Sequence, residues 1–253
     1  MSEQNICTCE PRCPREERPP LIGDAAPAFV AETTMGAIHF PQDYQGKWVI
    51  LFSHPSDFTP VCTTELIAFS RLVSDCRRLN TELIGLSVDS LPSHIAWLYA
   101  IEEQVRFRGL KNIKIEFPLI ADLSQKIARR YGMLHPASNN TQTVRAVFFI
   151  DPDGIIRTIL YYPATTGRGF GEIMRILMGL QIADTFGVAT PADWTIGDPV
   201  IKSAPQTLEM AKRADAANAG TTKAWFLTLD NLPREEIEQK LYHQKPSKPK
   251  KQR

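Results

Sequence analysis

Short apolar segments alternate with helix-length segments along most of this chain. The clearest apolar segment is Trp48 to Ser53, after which Pro55 and Pro60 interrupt the chain before a helical pattern begins. Strands separated by helices favour a parallel α/β core. The pattern predicts strands at 48–53, 82–88 and 118–121, and helices at about 62–80, 93–107 and 124–131.

A hairpin pattern follows this alternation. Residues 145–150 form an apolar strand pattern, Asp151 to Gly154 has the composition of a tight turn, and residues 155–161 supply an antiparallel partner strand. A last helix is predicted at about 170–186. A βαβ unit followed by a hairpin and a helix is the thioredoxin-like arrangement, so the predicted fold class is α/β and thioredoxin-like.

Composition limits the partners and the location of the protein. The 253 residues are 43% hydrophobic and carry a net charge of +1, so no overall field draws the chain to nucleic acid or to a membrane. No stretch approaches the ~20 apolar residues of a membrane span, and the first residues lack the apolar core of a secretory signal. Five cysteines do not form an extracellular disulfide framework. We therefore expect a cytoplasmic protein with reduced thiols.

Cys62 lies where the predicted strand 48–53 gives way to the predicted helix. A sulfur at the start of a helix is close to unpaired backbone N–H groups and to the positive end of the helix dipole, and both favour the thiolate over the thiol. A cysteine that follows a buried strand can also be a small core residue. The position alone therefore makes Cys62 a candidate nucleophile.

The residues around Cys62 carry a more specific signal. Pro55, Thr59 and Cys62 form the pattern Pro-x-x-x-Thr-x-x-Cys within Ser-His-Pro-Ser-Asp-Phe-Thr-Pro-Val-Cys-Thr-Thr-Glu, and Asp-Trp-Thr-Ile-Gly-Asp occurs later at 193–198. These motifs resemble the peroxiredoxins of the AhpC/TSA family, in particular the 1-Cys branch of the peroxiredoxin 6 type, over about residues 22–233. The resemblance implies a thioredoxin-like domain with a smaller C-terminal peroxiredoxin extension that reaches across a homodimer, which can assemble further into a ring of dimers such as a decamer.

The resemblance also assigns candidate site residues. It implies that Cys62 is the nucleophile, that Thr59 positions a peroxide by its hydroxyl, that Pro55 limits water, and that Arg145 lies against the sulfur. A guanidinium suits this place because it stays charged and offers a fixed fork of donors. Supporting residues are Glu65, which can orient Arg145, Arg168, which resembles a second arginine of this branch, and His54, which is either a proton relay or a structural histidine.

The resemblance implies a thiol-dependent peroxidase that reduces hydrogen peroxide and organic hydroperoxides. Cys62 would become a sulfenic acid, which an external thiol of the thioredoxin, glutathione or dithiol type would reduce. The extension contains no cysteine, so a 1-Cys cycle is favoured. The alternative is a redox-sensing or chaperone-like assembly that uses the same cysteine as a switch, since fold does not fix function.

The other cysteines need separate interpretations. Cys76 lies 14 residues after Cys62 on the same predicted helix, roughly 20 Å away, and is predicted to be structural. Cys7, Cys9 and Cys13 could bind a metal, resolve the sulfenic acid or be inert, although their spacing is unlike that of common zinc sites and no histidine is near. We predict no metal and no cofactor, because the glycines at 167, 169 and 171 also lack the spacing of a dinucleotide loop.

Four segments are predicted along the chain. The divisions follow changes in periodicity, in apolar content and in the density of proline and charge. They are a mobile N-terminal arm at 1–20, a thioredoxin-like peroxidase domain at 21–186, a dimerisation extension at 187–235 and a basic disordered tail at 236–253.

Overall fold

The computed structural model describes residues 18–139, 141–217 and 224–242. Its strands are β1 Phe29–Thr33, β2 Gly36–Phe40, β3 Trp48–Ser53, β4 Thr81–Ser87, β5 Leu119–Ala121, β6 Arg145–Ile150, β7 Ile156–Tyr162, β8 Val200–Ile201 and β9 Leu229–Asp230. Its helices are α1 Pro60–Arg78, α2 Leu91–Glu103, α3 Lys126–Arg130, α4 Phe170–Phe186, α5 Leu208–Ala217 and α6 Arg234–Tyr242, and a 3₁₀ turn spans Gln42–Tyr44.

Seven strands form one mixed sheet in the order β2-β1-β5-β4-β3-β6-β7. β3, β4 and β5 are parallel neighbours, as the alternation of strands and helices predicts, whereas β6 and β7 are an antiparallel hairpin. All six residues of β3 are buried. Because successive side chains of a strand point to opposite faces, Ile50 and Phe52 enter one core cluster while Val49 and Leu51 enter the other. β3 therefore ends in the middle of the fold.

Both long helices after β3 and β4 begin two residues before the predicted positions. Thr59 is the N-cap of α1 and Pro60 is its first residue, and Ser90 caps α2 by accepting a hydrogen bond from the amide of Ser93. The prediction treated Pro60 as a break, but proline is well tolerated in the first turn, where its missing N–H has no partner in any case. α2 also ends at Glu103 rather than at 107.

The sequence analysis placed no strand before residue 48, and this was wrong. β1 and β2 form an antiparallel hairpin that turns at Gly36, whose φ of 99° is in the left-handed region. β1 also pairs antiparallel with β5, so the hairpin extends the sheet at the edge opposite to β6 and β7.

The C-terminal extension packs partly on its own chain. Trp194, Val200, Ile237 and Leu241 are buried in the same core cluster as residues of α1 and α4. The predicted start of a disordered tail at 236 is therefore wrong, because the apolar pair at 237 and 241 lies on one face of α6 and is covered. The rest of that predicted tail, from residue 243, lies outside the described residues.

The end of the predicted N-terminal arm is ordered. Arg18 makes an ion pair with Asp24 at 2.7 Å, Pro19 packs on Gly132, and Pro20 is buried. Residues 18–20 therefore belong to the folded domain, which corrects the predicted boundary at 20. Residues 1–17 lie outside the described part of the chain.

Candidate active site

Cys62 is the third residue of α1, in the first turn after the loop that leaves β3. Its side chain is fully buried. Amide groups in the first turn of a helix have no partners within the helix, so their dipoles favour a negative charge on the sulfur. The loop before the helix carries the buried Pro55 and the N-cap residue Thr59. Three of the predicted site residues thus lie within one short segment.

The guanidinium of Arg145 lies against the sulfur. Arg145 is the first residue of β6, and its Nη1 donates to Cys62 Sγ at 3.2 Å and to Glu65 Oε2 at 2.7 Å. Its Nε and Nη2 donate to the carbonyl of Ala164 at 3.1 and 2.7 Å. Since these bonds use different edges of the planar guanidinium, its orientation toward the sulfur is fixed.

Glu65 joins Arg145 to the second predicted arginine, Arg168. Oε1 of Glu65 accepts hydrogen bonds from the backbone N–H and Nε of Arg168 at 2.8 and 3.0 Å, and Oε2 accepts from Arg168 Nη2 at 2.6 Å. Arg168 Nη1 donates to the carbonyls of Ser53 and Ala146 at 3.0 and 3.1 Å. We call Cys62, Glu65, Arg145 and Arg168 the thiol cluster.

The charges of the thiol cluster balance only when the sulfur is ionised. Arg145 and Arg168 are two cations at no more than 5% exposure, and Glu65 is the single carboxylate among the described residues that pairs with them. A buried charge without a counter-charge is strongly unfavourable. With a thiolate at Cys62 as the second negative charge, the cluster as a whole is neutral.

The shifts of pKa in the thiol cluster follow from its contacts. Burial by itself would raise the pKa of Glu65, but the attraction and hydrogen bonds of Arg168, with a contribution from Arg145, outweigh it and lower the pKa. Burial lowers the pKa of Arg168, although Glu65 opposes this. A guanidinium nevertheless keeps its charge at neutral pH. Glu65 is therefore ionised when the protein is at neutral pH.

Thr59 has hydrogen-bonding capacity left for a ligand. Its hydroxyl donates to the carbonyl of Ser56 at 2.9 Å and does not cap α1. A hydroxyl has one donor and two acceptor lone pairs, so Thr59 Oγ1 can still accept a hydrogen bond. It can therefore receive the O–H of a hydroperoxide.

A second buried cluster lies under the same loop. Asp57 Oδ1 is 2.9 Å from His54 Nε2, Asp57 Oδ2 is 2.8 Å from His94 Nδ1, and Asp57 Oδ2 also accepts from Ser93 Oγ at 2.8 Å. His54 and His94 are fully buried. We call His54, Asp57 and His94 the histidine cluster.

The hydrogen-bond partners determine the protonation of the histidine cluster. His94 faces an acceptor on each side, Asp57 at Nδ1 and the carbonyl of Ile120 at Nε2, so both ring nitrogens must carry hydrogen. Burial lowers the pKa of His94, but the hydrogen bond and charge of Asp57 outweigh it and the pKa is raised. Burial opposes the ionisation of Asp57, but its bonds from His54 and His94 hold its pKa well below the usual range.

His54 is neutral in this arrangement. Burial lowers its pKa despite the hydrogen bond to Asp57. Its one hydrogen is on Nε2, because Asp57 only accepts there. Within the described part of the chain, His54 Nδ1 has no hydrogen-bond partner although it is buried. The ring therefore keeps a lone pair that is available to a ligand.

The ligand atoms of the histidine cluster lie within 4.8 Å of one another, which is close enough to consider a metal. Zinc sites in proteins have four ligands, or three and an open position for water. Here the hydrogen bonds to Asp57 already account for His54 Nε2 and His94 Nδ1, and both rings are at 0% exposure. The geometry fits a proton-sharing network better than a metal site.

Cys76 is separated from the site. It is buried on α1 with its Sγ 4.0 Å from Met174 Sδ, and burial raises its pKa to about 12. Such a thiol is a poor nucleophile. Cys7, Cys9 and Cys13 lie outside the described residues.

The structure brings together the residues that were predicted from the sequence. Cys62, Glu65, Arg145 and Arg168 form one connected cluster, while Pro55, Thr59 and His54 belong to the adjoining loop. The sequence analysis missed Asp57, Ser93 and His94. Asp57 is part of the quoted motif and could have been considered, but nothing in the sequence links His94 to it.

The comparisons with known proteins identify the family of this chain. Residues 22–159 match the model of the AhpC/TSA family, and residues 179–214 match the C-terminal domain of 1-Cys peroxiredoxin. A peroxiredoxin of Methanosarcina mazei is 57% identical over 212 residues, which are 83% of this chain and 97% of that protein. A peroxiredoxin of Aquifex aeolicus is 54% identical over 175 residues, covering 69% of this chain and 76% of that protein.

Solved structures give the same result. A yeast mitochondrial 1-Cys peroxiredoxin is 36% identical with a TM-score of 0.71, covering 84% of this chain and 99% of that one. A cysteine-to-serine mutant of peroxiredoxin 6 from Arenicola marina is 37% identical with a TM-score of 0.67, covering 76% of this chain and 88% of that one.

The fold and the site define a thioredoxin-like thiol peroxidase, an oxidoreductase. The chain belongs to the AhpC/TSA family of peroxiredoxins and carries the C-terminal domain of the 1-Cys branch. Across the residues that the structure covers, no helix is both long and apolar enough to span a membrane.

Proposed function

We propose that this protein reduces hydrogen peroxide and organic hydroperoxides through a sulfenic acid on Cys62, in a 1-Cys cycle with an external thiol as electron donor. The observation that carries the proposal is the contact of Arg145 Nη1 with Cys62 Sγ inside a cluster that is neutral only with a thiolate. A buried, ionised and oriented sulfur is the nucleophile that this reaction needs.

The chemical step is a displacement at oxygen. The Cys62 thiolate attacks the outer oxygen of the hydroperoxide, and the new S–O bond forms as the O–O bond breaks. The peroxide hydrogen stays on the sulfenic acid, and the leaving alkoxide, or hydroxide when the substrate is hydrogen peroxide, takes up a proton from solvent water to become an alcohol or water. Sulfur is oxidised by two electrons and the peroxide is reduced by two. Arg145 stabilises the negative charge as it moves from the sulfur to the departing oxygen.

The loop residues bind and shield the peroxide in this proposal. Thr59 Oγ1 accepts the peroxide O–H, because its own hydrogen is given to Ser56. Pro55 is buried and presents an apolar wall that limits water at the sulfur. The unpartnered Nδ1 of His54, in the part of the chain that the structure describes, can accept a hydrogen bond from a bound ligand.

An external thiol returns Cys62 to its starting state. It attacks the sulfenic sulfur and releases water, and a second thiol then displaces Cys62 from the mixed disulfide. Cys76 is a poor internal donor because its pKa is raised to about 12 and it is buried. The yeast 1-Cys relative is described as resolving its thiol through glutathione and thioredoxin systems, which supports a donor of that class here.

Assembly and location complete the proposal. Exposed apolar side chains on the extension supply a surface for a homodimer, and further exposed side chains near α2 supply one for a ring of dimers. They are Leu208, Met210, Trp225, Phe226 and Leu227 on the extension, and Phe58, Ile95, Tyr99 and Leu123 near α2. Native mass measurement tests the homodimer and the ring of dimers, and a monomer at micromolar concentration would count against both assemblies.

A cytoplasmic location agrees with thiols that must be reduced after each turnover.

Catalytic consumption of peroxide tests the enzyme proposal. We expect many turnovers per protein with hydrogen peroxide or an organic hydroperoxide and a thiol donor, and none in Cys62→Ser. A redox sensor or chaperone-like switch would instead react once per protein and stop. Activity that persists in Cys62→Ser would refute the assignment of the nucleophile.

Comparison of donors tests the 1-Cys cycle. Glutathione, thioredoxin and a small dithiol are offered separately after one equivalent of peroxide, and disulfides are mapped before and after. We expect no disulfide within the chain. A bond from Cys62 to Cys7, Cys9 or Cys13 would show instead that the N-terminal segment resolves the sulfenic acid.

A further inference from the structure

The loop between β3 and α1 contains a residue in an unfavourable backbone conformation. Phe58 has a φ of 54°, in the left-handed region that side chains rarely adopt, and it lies between Asp57 and Thr59. For a residue other than glycine this conformation costs about 1–2 kcal/mol. Such a conformation persists only where its surroundings hold it. The loop that carries Pro55 and Thr59 therefore needs anchors.

Asp57 is the main anchor of this loop. Its carboxylate accepts hydrogen bonds from His54, Ser93 and His94, and its backbone amide donates to Asp89 Oδ2 at 3.0 Å. Its side chain is only 2% exposed. These bonds tie the loop to the first turns of α2 and to the segment that follows β4.

His94 extends the anchor into the sheet. It is on α2, donates to Asp57 through Nδ1, and donates through Nε2 to the carbonyl of Ile120 on β5 at 3.1 Å. The carboxylate of Asp57 also fixes the hydrogen of His54 on Nε2. His54 is the residue immediately before Pro55 in the chain. The side-chain hydrogen bonds of His94 go to Asp57 and Ile120, so its effect on the reaction passes through Asp57.

We propose that Asp57 and His94 are positioning residues of the peroxidase site, which hold the loop of Pro55 and Thr59 in its reactive conformation and keep His54 in the tautomer with hydrogen on Nε2. This inference rests on the proposed peroxidase function and adds two residues to its machinery. A displacement of reacting groups by about 1 Å can cost about 100-fold in rate, so an anchor at this depth has a measurable effect.

The anchoring of the loop by His94 depends on pH. The titratable groups that face His94 are Asp57 and His54 from the loop and Asp89 from the segment after β4. A neutral imidazole has one N–H and can serve either Asp57 or Ile120, but not both. Because the pKa of His94 is raised above 6.5 in the folded protein, its full anchoring is present below about pH 6.5 and is lost as the pH rises through the higher folded value.

The test compares variants at His94 and Asp57 with a matched control. His94→Ala removes the anchor, and His94→Asn keeps one donor near the place of Nδ1 but does not titrate. Asp57→Asn replaces one acceptor oxygen of the carboxylate by an NH₂ group, which then faces the donors of His54, Ser93 and His94. Gln181→Ala is the control, because this buried side chain of α4 donates to the carbonyl of Leu79 at 2.8 Å, away from the loop. Rate constants for oxidation of Cys62 by peroxide are measured from pH 5 to pH 9, together with urea unfolding.

We expect His94→Ala and Asp57→Asn to lower the rate constant about tenfold or more at equal folded fraction. His94→Asn should recover most of this loss and should lack the alkaline decline of the original protein. Gln181→Ala should lose stability and keep the original rate and pH profile.

Several outcomes would overturn the proposal. One is a rate constant for His94→Ala within about twofold of the original. Another is a decline of the rate constant at alkaline pH that is unchanged in His94→Asn. A third is a stoichiometric metal ion that the original protein holds and His94→Ala loses. Inactivity of the original protein would instead contradict the proposed function. If His94→Ala fails to fold, the pH profile of His94→Asn decides.

Discussion

The thiol cluster and the histidine cluster both adjoin the end of β3, but their charges are balanced differently. Arg168 of the thiol cluster binds the carbonyl of Ser53, while His54 is the next residue of the chain. The histidine cluster is neutral by itself, because protonated His94 balances Asp57. The thiol cluster is neutral only with a thiolate at Cys62.

Because of this difference, the thiol cluster responds to reaction of the sulfur and the histidine cluster responds to pH. The arginines of the thiol cluster do not titrate near neutral pH, so its charge changes when the sulfur reacts. The histidine cluster contains no redox group but has two imidazoles whose pKa values are shifted in opposite directions. The first cluster is therefore suited to chemistry, and the second to positioning.

Removal of Glu65 should have the largest effect on stability. Glu65→Ala leaves two buried guanidinium groups against one thiolate, and breaking a buried ion pair typically costs about 3–5 kcal/mol. Urea unfolding measures the loss. Glu172→Ala is the control, because Glu172 pairs with Arg175 at the surface and such pairs contribute about 0–1 kcal/mol. Equal losses in the two variants would contradict the charge balance of the thiol cluster.

Arg145→Lys should have the next largest effect, on rate. Lysine keeps the charge but loses the fork that joins Cys62, Glu65 and the Ala164 carbonyl. Loss of one such preorganised donor costs about 100-fold or more in rate. Stopped-flow oxidation by peroxide measures it, with Arg157→Lys as a control at the surface pair with Asp184. A rate for Arg145→Lys close to the original would show that charge alone is sufficient.

His54→Gln should alter the stability of the protein in acid. The unfolded chain protonates His54 near pH 6.5 but the folded protein resists, because burial lowers its pKa. Stability of the original protein therefore falls as the pH drops below about 6.5, with a slope from this group of at most about 1.4 kcal/mol per pH unit. The amide side chain introduced by His54→Gln does not titrate and retains a donor for Asp57, so urea unfolding of this variant should show a shallower slope. Parallel slopes would contradict the neutral state of His54.

Cys76→Ala should have the smallest effect. The thiol is a buried core group near Met174, and its removal should cost about 1 kcal/mol of stability. The rate of peroxide reduction and the donor preference should not change. A large loss of turnover would mean that Cys76 takes part in the redox cycle after all.

Strands β3 to β7 and the candidate nucleophile could be predicted because their signals are local. The apolar run before Cys62, the hairpin turn at 151–154 and the motif from Pro55 to Cys62 each lie within a few residues. Arg145 and Arg168 entered the prediction only through the family resemblance, since no local pattern links β6 and the start of α4 to α1.

The parts that were missed depend on tertiary context. β1 and β2 have only five residues each, and β1 exposes the apolar Val30, so their periodic signal is short. α6 was taken for a tail because its composition is charged, although Ile237 and Leu241 are buried on one face. His94 is 37 residues from Asp57, and only the packing of α2 brings them together.

The neutrality of the thiol cluster ends if Cys62 is oxidised. A sulfenic acid is uncharged, so the oxidised protein holds a buried positive charge without a counter-charge. The first turn of α1 is thereby less stable in the oxidised protein than in the reduced one, which favours its opening toward a reductant that could not otherwise reach a fully buried sulfur. Faster amide exchange at residues 60–64 after one equivalent of peroxide is the expected sign, and unchanged exchange would contradict it.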